Sequence, residues 1–384
     1  MRYFILLITL CFFQDTTAQR SIYFPERGEW KEVNSSDFGF DEKQLQLAID
    51  SIIANEYSGP KDLRQAIYKG FEREPYHQIL GPTKKRGGPA GMILKNGHLV
   101  AKWGDTKRVD MTFSVTKSYL STVAGLAIGE GLISSVNDKV NEYVWDHHFD
   151  GSHNQKITWK HLLTQSSAWS GQLWGGYDWN DRPPREGEVH QWKFATPVEP
   201  GTQMEYNDVR VNLLAYSLLQ VWRKPLPMIL KDKIMDPIGA SPTWRWFGYE
   251  NSWTTVDGIK MQSVSGGGHS GGGLFISAED HARFGLLCMN NGKWKGQQLL
   301  SENWLQEATA PSQSESTYGY MWWLNRNGES KRMANLSKNG FYAAGFGGNY
   351  IIVEPEEQLV VVFRWCEPSK ASDMLGLIKK AMEE

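Results

Sequence analysis

The pattern of apolar and polar positions is unusual at residues 115–128. Apolar and small residues fill nearly every position there, with no proline and no charge after Lys117. A surface helix carries one apolar stripe, so this stretch predicts a helix that is buried on most sides. Residues 41–56 carry apolar side chains at helical spacing and predict an amphipathic helix instead.

Strand patterns lie on both sides of the buried helix. Residues 91–104 predict a hairpin that turns at Asn96-Gly97. Alternating apolar patterns return after Gly266, and the run at 359–363 is continuously apolar, which is typical of a buried strand. The other predicted strands are 274–276, 319–324 and 350–353, and the other predicted helices are 157–164, 211–221 and 374–383.

This order of elements predicts an α/β (α+β) fold with an antiparallel sheet flanked by helices. We expect an N-terminal extension with one helix at residues 19–90 and a single large domain at 91–384. Within that domain, residues 134–260 predict an inserted, all-helical lobe. The basic, Pro/Gly-rich residues 58–90 predict a long loop or insertion.

The N-terminus has the composition of a secretory signal. One positive charge at Arg2 precedes ten mostly apolar residues, and small residues at 16–18 suit a cleavage site. The apolar run is too short to cross a bilayer. We therefore expect a signal peptide at residues 1–18 and an exported, periplasmic or secreted protein without stable membrane insertion.

Composition adds two constraints. The net charge is −2 with both signs spread along the chain, so nothing predicts a nucleic-acid partner. Cys288 and Cys366, both in apolar surroundings, are expected to be buried free thiols rather than a disulfide. The chain also has 17 Trp, which suit either a core or an aromatic pocket wall.

Candidate catalytic residues lie at the start of the buried helix, where Ser114 and Lys117 are one turn apart. An amine can activate a hydroxyl nucleophile if burial depresses its pKa, and the helix N-terminus offers N–H groups to an oxyanion. A capping serine with an extended lysine is the alternative. Ser58-Gly59-Pro60-Lys61 shows the same spacing, but its Gly-Pro centre cannot form a regular helix.

Four motifs in this order resemble the serine β-lactamase and penicillin-binding-protein superfamily. The resemblance covers about residues 88–384 and is strongest to the class C β-lactamase-like branch, with family VIII carboxylesterases, D-Ala-D-Ala carboxypeptidases and 6-aminohexanoate-dimer hydrolases. The motifs are Phe113 to Ser118, Ile157 to Ser167, Pro200-Gly201-Thr202 with Tyr206-Asn207-Asp208, and Gly271 to Gly285.

The resemblance implies a β-lactamase/transpeptidase-like fold and roles for three side chains. Ser114 would be the acylated nucleophile, Lys117 its proton acceptor or electrostatic partner, and Tyr206 the phenol that moves protons to the leaving group. The backbone N–H groups of Ser114 and Phe346 would form the oxyanion hole.

Two departures from the family pattern bear on the substrate. Asp208 stands where the family has Asn, and it would tend to keep Lys117 charged. Ala343-Ala344-Gly345 stands where the family usually has Lys-Thr-Gly or His-Thr-Gly, so a substrate-binding cation is missing. Recognition of a β-lactam or a peptide carboxylate is therefore not expected, and the pattern is nearer to esterase members.

The remaining candidates are assigned to substrate binding. We expect Asp208, His269, Gly345, Trp174 and Trp322 to line the pocket, although a loop histidine and core tryptophans are the alternatives. The cluster Asp146, His147, His148, Asp150 and His153 lacks a fixed ligand spacing, so no metal or other cofactor is expected.

The sequence thus predicts an exported serine hydrolase that cleaves a small-molecule ester or amide through an acyl-serine intermediate, with esterase favoured. An amidase or peptidase acting on peptide-like or cell-wall material is one alternative. A catalytically silent binding or sensor protein of the same fold is the other.

Overall fold

The computed structural model describes residues 21–75, 77–182, 193 and 195–382, so the predicted signal peptide lies outside the described residues. No helix in this part of the chain is long and apolar enough to cross a membrane. The helices are Glu42–Ala54, Leu63–Gly70, Thr116–Gly129, Gly151–Asn154, Trp159–Leu163, Asp208–Trp222, Leu226–Leu230 with a π turn at Lys231–Met235, Ala278–Met289, Glu302–Ala308 and Ala371–Lys380.

The strands form antiparallel sheets. They are β1 (Ala90–Lys95), β2 (His98–Trp103), β3 (Asp110–Met111), β4 (Gln172–Leu173), β5 (Gly176–Tyr177), β6 (Arg245–Val256), β7 (Ile259–Val264), β8 (Gly273–Ile276), β9 (Lys293–Trp294), β10 (Gln297–Gln298), β11 (Trp323–Leu324), β12 (Phe341–Gly345), β13 (Asn349–Glu354) and β14 (Leu359–Arg364). The main sheet has the order β11-β12-β13-β14-β1-β2. Strands from the two ends of the sequence therefore meet in one sheet.

The predicted hairpin and the predicted buried strand are confirmed. Asn96 and Gly97 both have positive φ, as a tight hairpin turn requires, and connect β1 to β2. All six residues of β14 are buried, because this strand lies between β13 and β1 and has helices on both of its faces.

Alternate residues of β14 enter two separate cores. Val360 and Val362 belong to the large core that also holds the helix Thr116–Gly129. Val361 and Phe363 belong to a second core, which the helices Glu42–Ala54 and Ala371–Lys380 cover. The two-residue period of a strand thus produces a layered molecule, with helices on each side of the sheet. Both described cysteines are buried free thiols, as predicted.

The inserted region is not all-helical, which corrects the sequence-based expectation. It contains the small hairpin β4–β5 and the long hairpin β6–β7, which occupies residues 245–264. The missed signal is the Asp257-Gly258 turn between runs of aromatic and β-branched residues. With β3 and β8, the long hairpin forms a sheet in the order β3-β8-β6-β7 beside Ser114.

Residues 58–90 also differ from the expected long loop, because they contain the helix Leu63–Gly70. Asp62 caps this helix, and its carboxylate accepts a hydrogen bond from the Arg64 N–H at 2.9 Å. Leu63 and Ile67 are fully buried against Phe113. This segment therefore packs directly beneath the residue that precedes Ser114.

Candidate active site

Ser114 lies in a 3-10 turn, Phe113–Val115, that leads into the helix Thr116–Gly129. Phe113 has φ of +51° although it is a bulky, buried residue. Such a conformation costs on the order of 1–3 kcal/mol, and the surrounding packing must hold it. The Thr112 N–H donates to the Leu274 carbonyl of β8 at 2.9 Å, which fixes the start of the turn.

Ser114, Lys117 and Asp208 form a continuous hydrogen-bonded chain. The ammonium Nζ of Lys117 donates to Ser114 Oγ at 2.9 Å and to Asp208 Oδ1 at 2.6 Å. Lys117 is 1% and Asp208 2% exposed, whereas Ser114 is partly exposed. The ion pair is thus buried beneath a serine hydroxyl that a substrate can reach.

The Asp208 carboxylate decides the charge of Lys117. Burial alone would lower the pKa of Lys117, but attraction to Asp208 outweighs it and raises that pKa above its usual value. Burial likewise opposes the charge of Asp208, and Lys117 and Arg182 lower its pKa nonetheless. Lys117 is therefore an ammonium that donates a hydrogen bond to Ser114. Of its two predicted roles, this favours the electrostatic partner of Ser114 over the acceptor of its proton.

Arg182 completes the charge balance around Asp208. Its Nη2 donates to Asp208 Oδ2, and its Nη1 lies 2.8 Å from Asp181 Oδ1. Asp208 is also the first residue of the helix Asp208–Trp222, whose N-terminus favours a negative charge. Two cations and one helix end hold this carboxylate ionised inside the protein.

Gly267 passes directly over the Lys117–Asp208 pair. A Cβ built on Gly267 would overlap both Lys117 Nζ and Asp208 Oδ1. Both of those atoms are buried and hydrogen-bonded, so neither can move away cheaply. This position therefore needs glycine.

Tyr206 reaches the same cleft from the turn before the helix Asp208–Trp222. Its ring centroid is 4.6 Å from Lys117 Nζ and 5.0 Å from the Arg182 guanidinium carbon. The Tyr206 ring also stacks on Trp323 at 5.7 Å and makes an edge contact with Tyr318 at 6.3 Å. The structure thus brings the hydroxyl, the amine and the phenol to one cleft, with two cations against the phenol ring.

The end of β12 lies against the Ser114 turn. A Cβ built on Gly345 would overlap the backbone carbonyl oxygen of Thr112 and would lie 3.2 Å from the backbone nitrogen of Ser114, so only glycine permits this approach. Phe346 follows, and its carbonyl accepts a hydrogen bond from Asn349 Nδ2 at 2.8 Å. This adjacency matches the predicted position of the oxyanion hole; the assignment of the Phe346 N–H to it stays a prediction.

A pocket of about 590 Å³ opens above Ser114. Its wall is largely aromatic with two arginines. Besides Ser114 it is lined by Tyr57, Phe71, Arg182, Tyr206, His269, Trp323, Arg332, Gly345, Phe346 and Tyr350, among others.

Three of the residues assigned to substrate binding lie elsewhere. Asp208 is buried under Lys117 as its ion-pair partner. Trp322 is 1% exposed and stacks on Phe284 in the core, because strand alternation points Trp323 to the pocket in its place. Trp174 lines a different cavity, where it contacts Tyr249.

His269 and Gly345 do line the Ser114 pocket. His269 is mostly buried, however, and its Nε2 lies 2.6 Å from Glu74 Oε2. Burial would lower the pKa of His269, but the carboxylates of Asp181 and Glu74 raise it. In residues 146–153, His147 pairs with Asp150 and His148 with Asp146, whereas Nε2 of His153 lies 2.9 Å from the Ala168 carbonyl oxygen.

The sequence analysis missed Arg182, Glu74 and Arg332, and it assigned Trp322 rather than the neighbouring Trp323 to substrate binding. Arg182 follows a turn-rich stretch without any periodic pattern, and Glu74 lies in the segment that was expected to be a loop. A signal existed for Trp323 alone, since adjacent tryptophans in a strand must point to opposite faces. The others are brought to the site by tertiary structure.

The chain belongs to the Beta-lactamase family, whose model matches residues 77–366. Members of this superfamily are serine hydrolases, and the predicted β-lactamase/transpeptidase-like fold is confirmed.

Relatives agree with this assignment. The Escherichia coli (strain K12) protein named "Putative D-alanyl-D-alanine carboxypeptidase" is 23% identical over 335 residues, which cover 71% of this chain and 76% of that protein. A β-lactamase structure from Mycobacterium bovis matches with a TM-score of 0.53 and 18% identity, covering 82% of this chain and 98% of that one. A family VIII carboxylesterase structure matches with a TM-score of 0.55 and 16% identity, covering 84% and 98%.

Proposed function

We propose that this protein hydrolyses a carboxylic ester of a small molecule through an acyl-Ser114 intermediate. The observation that carries the proposal is the hydrogen bond from the Lys117 ammonium to Ser114 Oγ at the floor of an open pocket. The similarity in fold to a family VIII carboxylesterase supports an ester as the substrate.

In this mechanism, Lys117 orients Ser114 Oγ and stabilises negative charge on it. Because Lys117 already donates to Oγ, it cannot accept the serine proton at the same time. We assign that proton to the Tyr206 oxygen, because the ring of Tyr206 lies in the same cleft, with its centroid 4.6 Å from Lys117 Nζ.

The bond changes follow from these positions. Ser114 Oγ bonds to the carbonyl carbon, and the carbonyl oxygen takes negative charge beside the N–H groups of Ser114 and Phe346. The C–O bond to the alcohol then breaks, and the alcohol oxygen receives the proton from Tyr206. Water repeats the sequence on the acyl-enzyme, which releases the acid and restores Ser114.

An amidase or peptidase is the second candidate, and Arg332 is the observation in its favour. β12 has alanines where other family members place a cation, but Arg332 enters the same pocket from a neighbouring loop. Its guanidinium carbon lies 4.6 Å from the Trp323 ring centroid, where it could meet a substrate carboxylate. The carboxypeptidase name of the Escherichia coli relative supports the same reading.

A substrate panel with two serine variants tests the proposal. Short-chain p-nitrophenyl esters should be hydrolysed by the wild-type protein, and Ser114→Ala should lower kcat/KM by about 1000-fold or more. Ser58→Ala is the matched control, because Ser58 shares the Ser-x-x-Lys spacing but donates to Glu367 at 3.1 Å. It should keep full activity.

Different outcomes separate the candidates. Turnover of peptide-like amides with no turnover of esters would replace the ester proposal by the second candidate. A wild-type protein that leaves both substrate classes intact would support a silent binding protein of the same fold.

Export, with cleavage after residue 18, remains a proposal from the N-terminal pattern, and N-terminal sequencing of the expressed protein tests it.

A further inference from the structure

A second cavity, of about 230 Å³, lies next to the Ser114 pocket. His269 lines both cavities, and Glu74, His77 and Asp181 also line the second one. The mechanism proposed above uses none of Glu74, His77 or His269. Ester hydrolysis therefore does not explain why these three side chains lie together.

Glu74, His77 and His269 present three ligand-type atoms to one point. Glu74 Oε2 lies 2.6 Å from His269 Nε2 and 3.4 Å from His77 Nδ1, and one ligand atom from each residue lies within 4.8 Å of the others. The two imidazole rings are nearly perpendicular, with centroids 5.3 Å apart. The Glu74 side chain is 4% exposed, and each of the two histidine side chains is 7% exposed.

The 3.4 Å separation between Glu74 and His77 equals that of two ligands on one metal ion, and the 2.6 Å separation between Glu74 and His269 is a hydrogen bond that a bound ion would replace. Zinc binds imidazole nitrogen and carboxylate oxygen at about 2.0–2.2 Å, which puts tetrahedral neighbours about 3.4 Å apart. Two imidazoles and one carboxylate, with an adjoining cavity for a water ligand, form a set that zinc favours. We propose that Glu74, His77 and His269 bind a zinc ion beside the Ser114 pocket.

A second group of possible ligands shares His269 but is a poorer candidate. It consists of Asp181, Asp208 and His269. Arg182 already pairs with both of those aspartates. A metal ion there would compete with an ammonium and a guanidinium, whereas Glu74 and His77 face the open cavity.

A neighbouring carboxylate can also orient one of the proposed ligands. An imidazole that binds metal through Nε2 carries its proton on Nδ1 and donates it, most often to a carboxylate. The Nδ1 of His269 lies 3.6 Å from Asp208 Oδ2. The Arg182 Nη2 that now lies 3.1 Å from this Nδ1 must then move away, so zinc binding should alter the contacts of the Lys117–Asp208 pair.

Direct titration of the full chain tests the site. Chelator-treated wild-type protein should bind one equivalent of zinc by isothermal titration calorimetry, and cobalt should give the intense visible absorption of a four-coordinate ion. His77→Asn should weaken zinc binding at least tenfold, and Glu74→Gln should do the same. His147→Asn is the matched control, because His147 is exposed and pairs with Asp150 in another loop; it should leave the affinity unchanged.

Zinc binding and cobalt absorption do not depend on turnover, so they test the metal site independently of the esterase proposal. Absence of zinc binding by folded wild-type protein would overturn the inference. So would one-equivalent binding that survives both His77→Asn and Glu74→Gln while each variant keeps its native circular dichroism. Loss of binding in His147→Asn alone would place the metal in the loop 146–153 and overturn it as well.

Discussion

At the residue scale, the site depends on a buried ion pair that is closed over by a glycine. Lys117 and Asp208 make a 2.6 Å contact, and Gly267 leaves no space for a side chain above it. Removing one partner of such a pair leaves an uncompensated buried charge, which typically costs 3–5 kcal/mol. The position of Ser114 Oγ follows from this pair, because Lys117 Nζ donates to both side chains.

Gly267→Ala should therefore damage catalysis. The added methyl group overlaps Lys117 Nζ and Asp208 Oδ1, so the ammonium is displaced from Ser114 and kcat/KM should fall by about 100-fold. Ester hydrolysis measures the effect.

The control is Gly129→Ala, at the exposed end of the helix Thr116–Gly129 that carries Lys117, where a Cβ meets nothing within 4 Å. Its activity should equal that of the wild type. Equal activity of both variants would show that the pair tolerates displacement and contradict this account.

Sequence reasoning reached part of this site and missed the rest for a physical reason. Ser114 and Lys117 are one helical turn apart, so their contact follows from local geometry. Arg182 contacts Asp208 across 26 residues, and Glu74 contacts His269 across 195. No local pattern encodes such contacts; they exist only once the sheets and helices have packed.

At the element scale, His281 connects the helix Ala278–Met289 to the Ser114 helix and to the turn before it. Its ring nitrogens lie 2.9 Å from the Tyr119 hydroxyl and 2.8 Å from Thr112 Oγ1. Burial and the nearby Arg364 hold the pKa of His281 well below its usual value. The histidine is thus neutral in the folded protein.

The stability of the fold should accordingly decrease in mild acid. Below about pH 6.5 the unfolded chain binds a proton at His281 that the native state cannot bind, so the free energy of unfolding falls with falling pH, by up to about 1.4 kcal/mol per pH unit. Urea unfolding at pH 7.5, 6.5 and 5.5 measures the slope. His281→Gln, which keeps a donor and an acceptor, should show a smaller slope, and identical slopes would rule out this role.

Elements with regular apolar patterns were predicted well, and elements with irregular patterns were not. The hairpin at 91–104, the buried strand β14 and the buried Ser114 helix follow from turn chemistry and apolar periodicity. The hairpin β6–β7 was missed despite its Asp257-Gly258 turn, because its aromatic and polar residues alternate irregularly, around a register shift between Gly248 and Trp253.

At the scale of the whole molecule, the two terminal helices close the second core on the outer face of the main sheet. Leu375 in the helix Ala371–Lys380 is fully buried there, whereas Leu377 on the same helix is 37% exposed. Neither side chain lines the Ser114 pocket.

Leu375→Ala should lower the free energy of unfolding by about 2–5 kcal/mol, through lost burial and the cavity left behind. Leu377→Ala should change it by no more than about 0.5 kcal/mol. Urea denaturation compares the two, and kcat at 25 °C should stay at the wild-type value in both. A similar loss in both variants would show that this helix does not cover the sheet in the manner described.

The layered architecture could be predicted in outline, because strand patterns occur at both ends of the sequence and helices between them. The pairing of strands could not. β1 lies beside β14, some 270 residues away in sequence, and the order of strands depends on which apolar faces meet.

The central claim is that Ser114 is the residue that becomes acylated. A fluorophosphonate probe forms a stable bond with an activated serine, so the wild-type protein should gain the mass of one probe. Peptide mapping should place that mass on Ser114, and Ser114→Ala should gain none. A probe carried by another residue, or ester hydrolysis by wild-type protein that the probe neither modifies nor inhibits, would contradict the account.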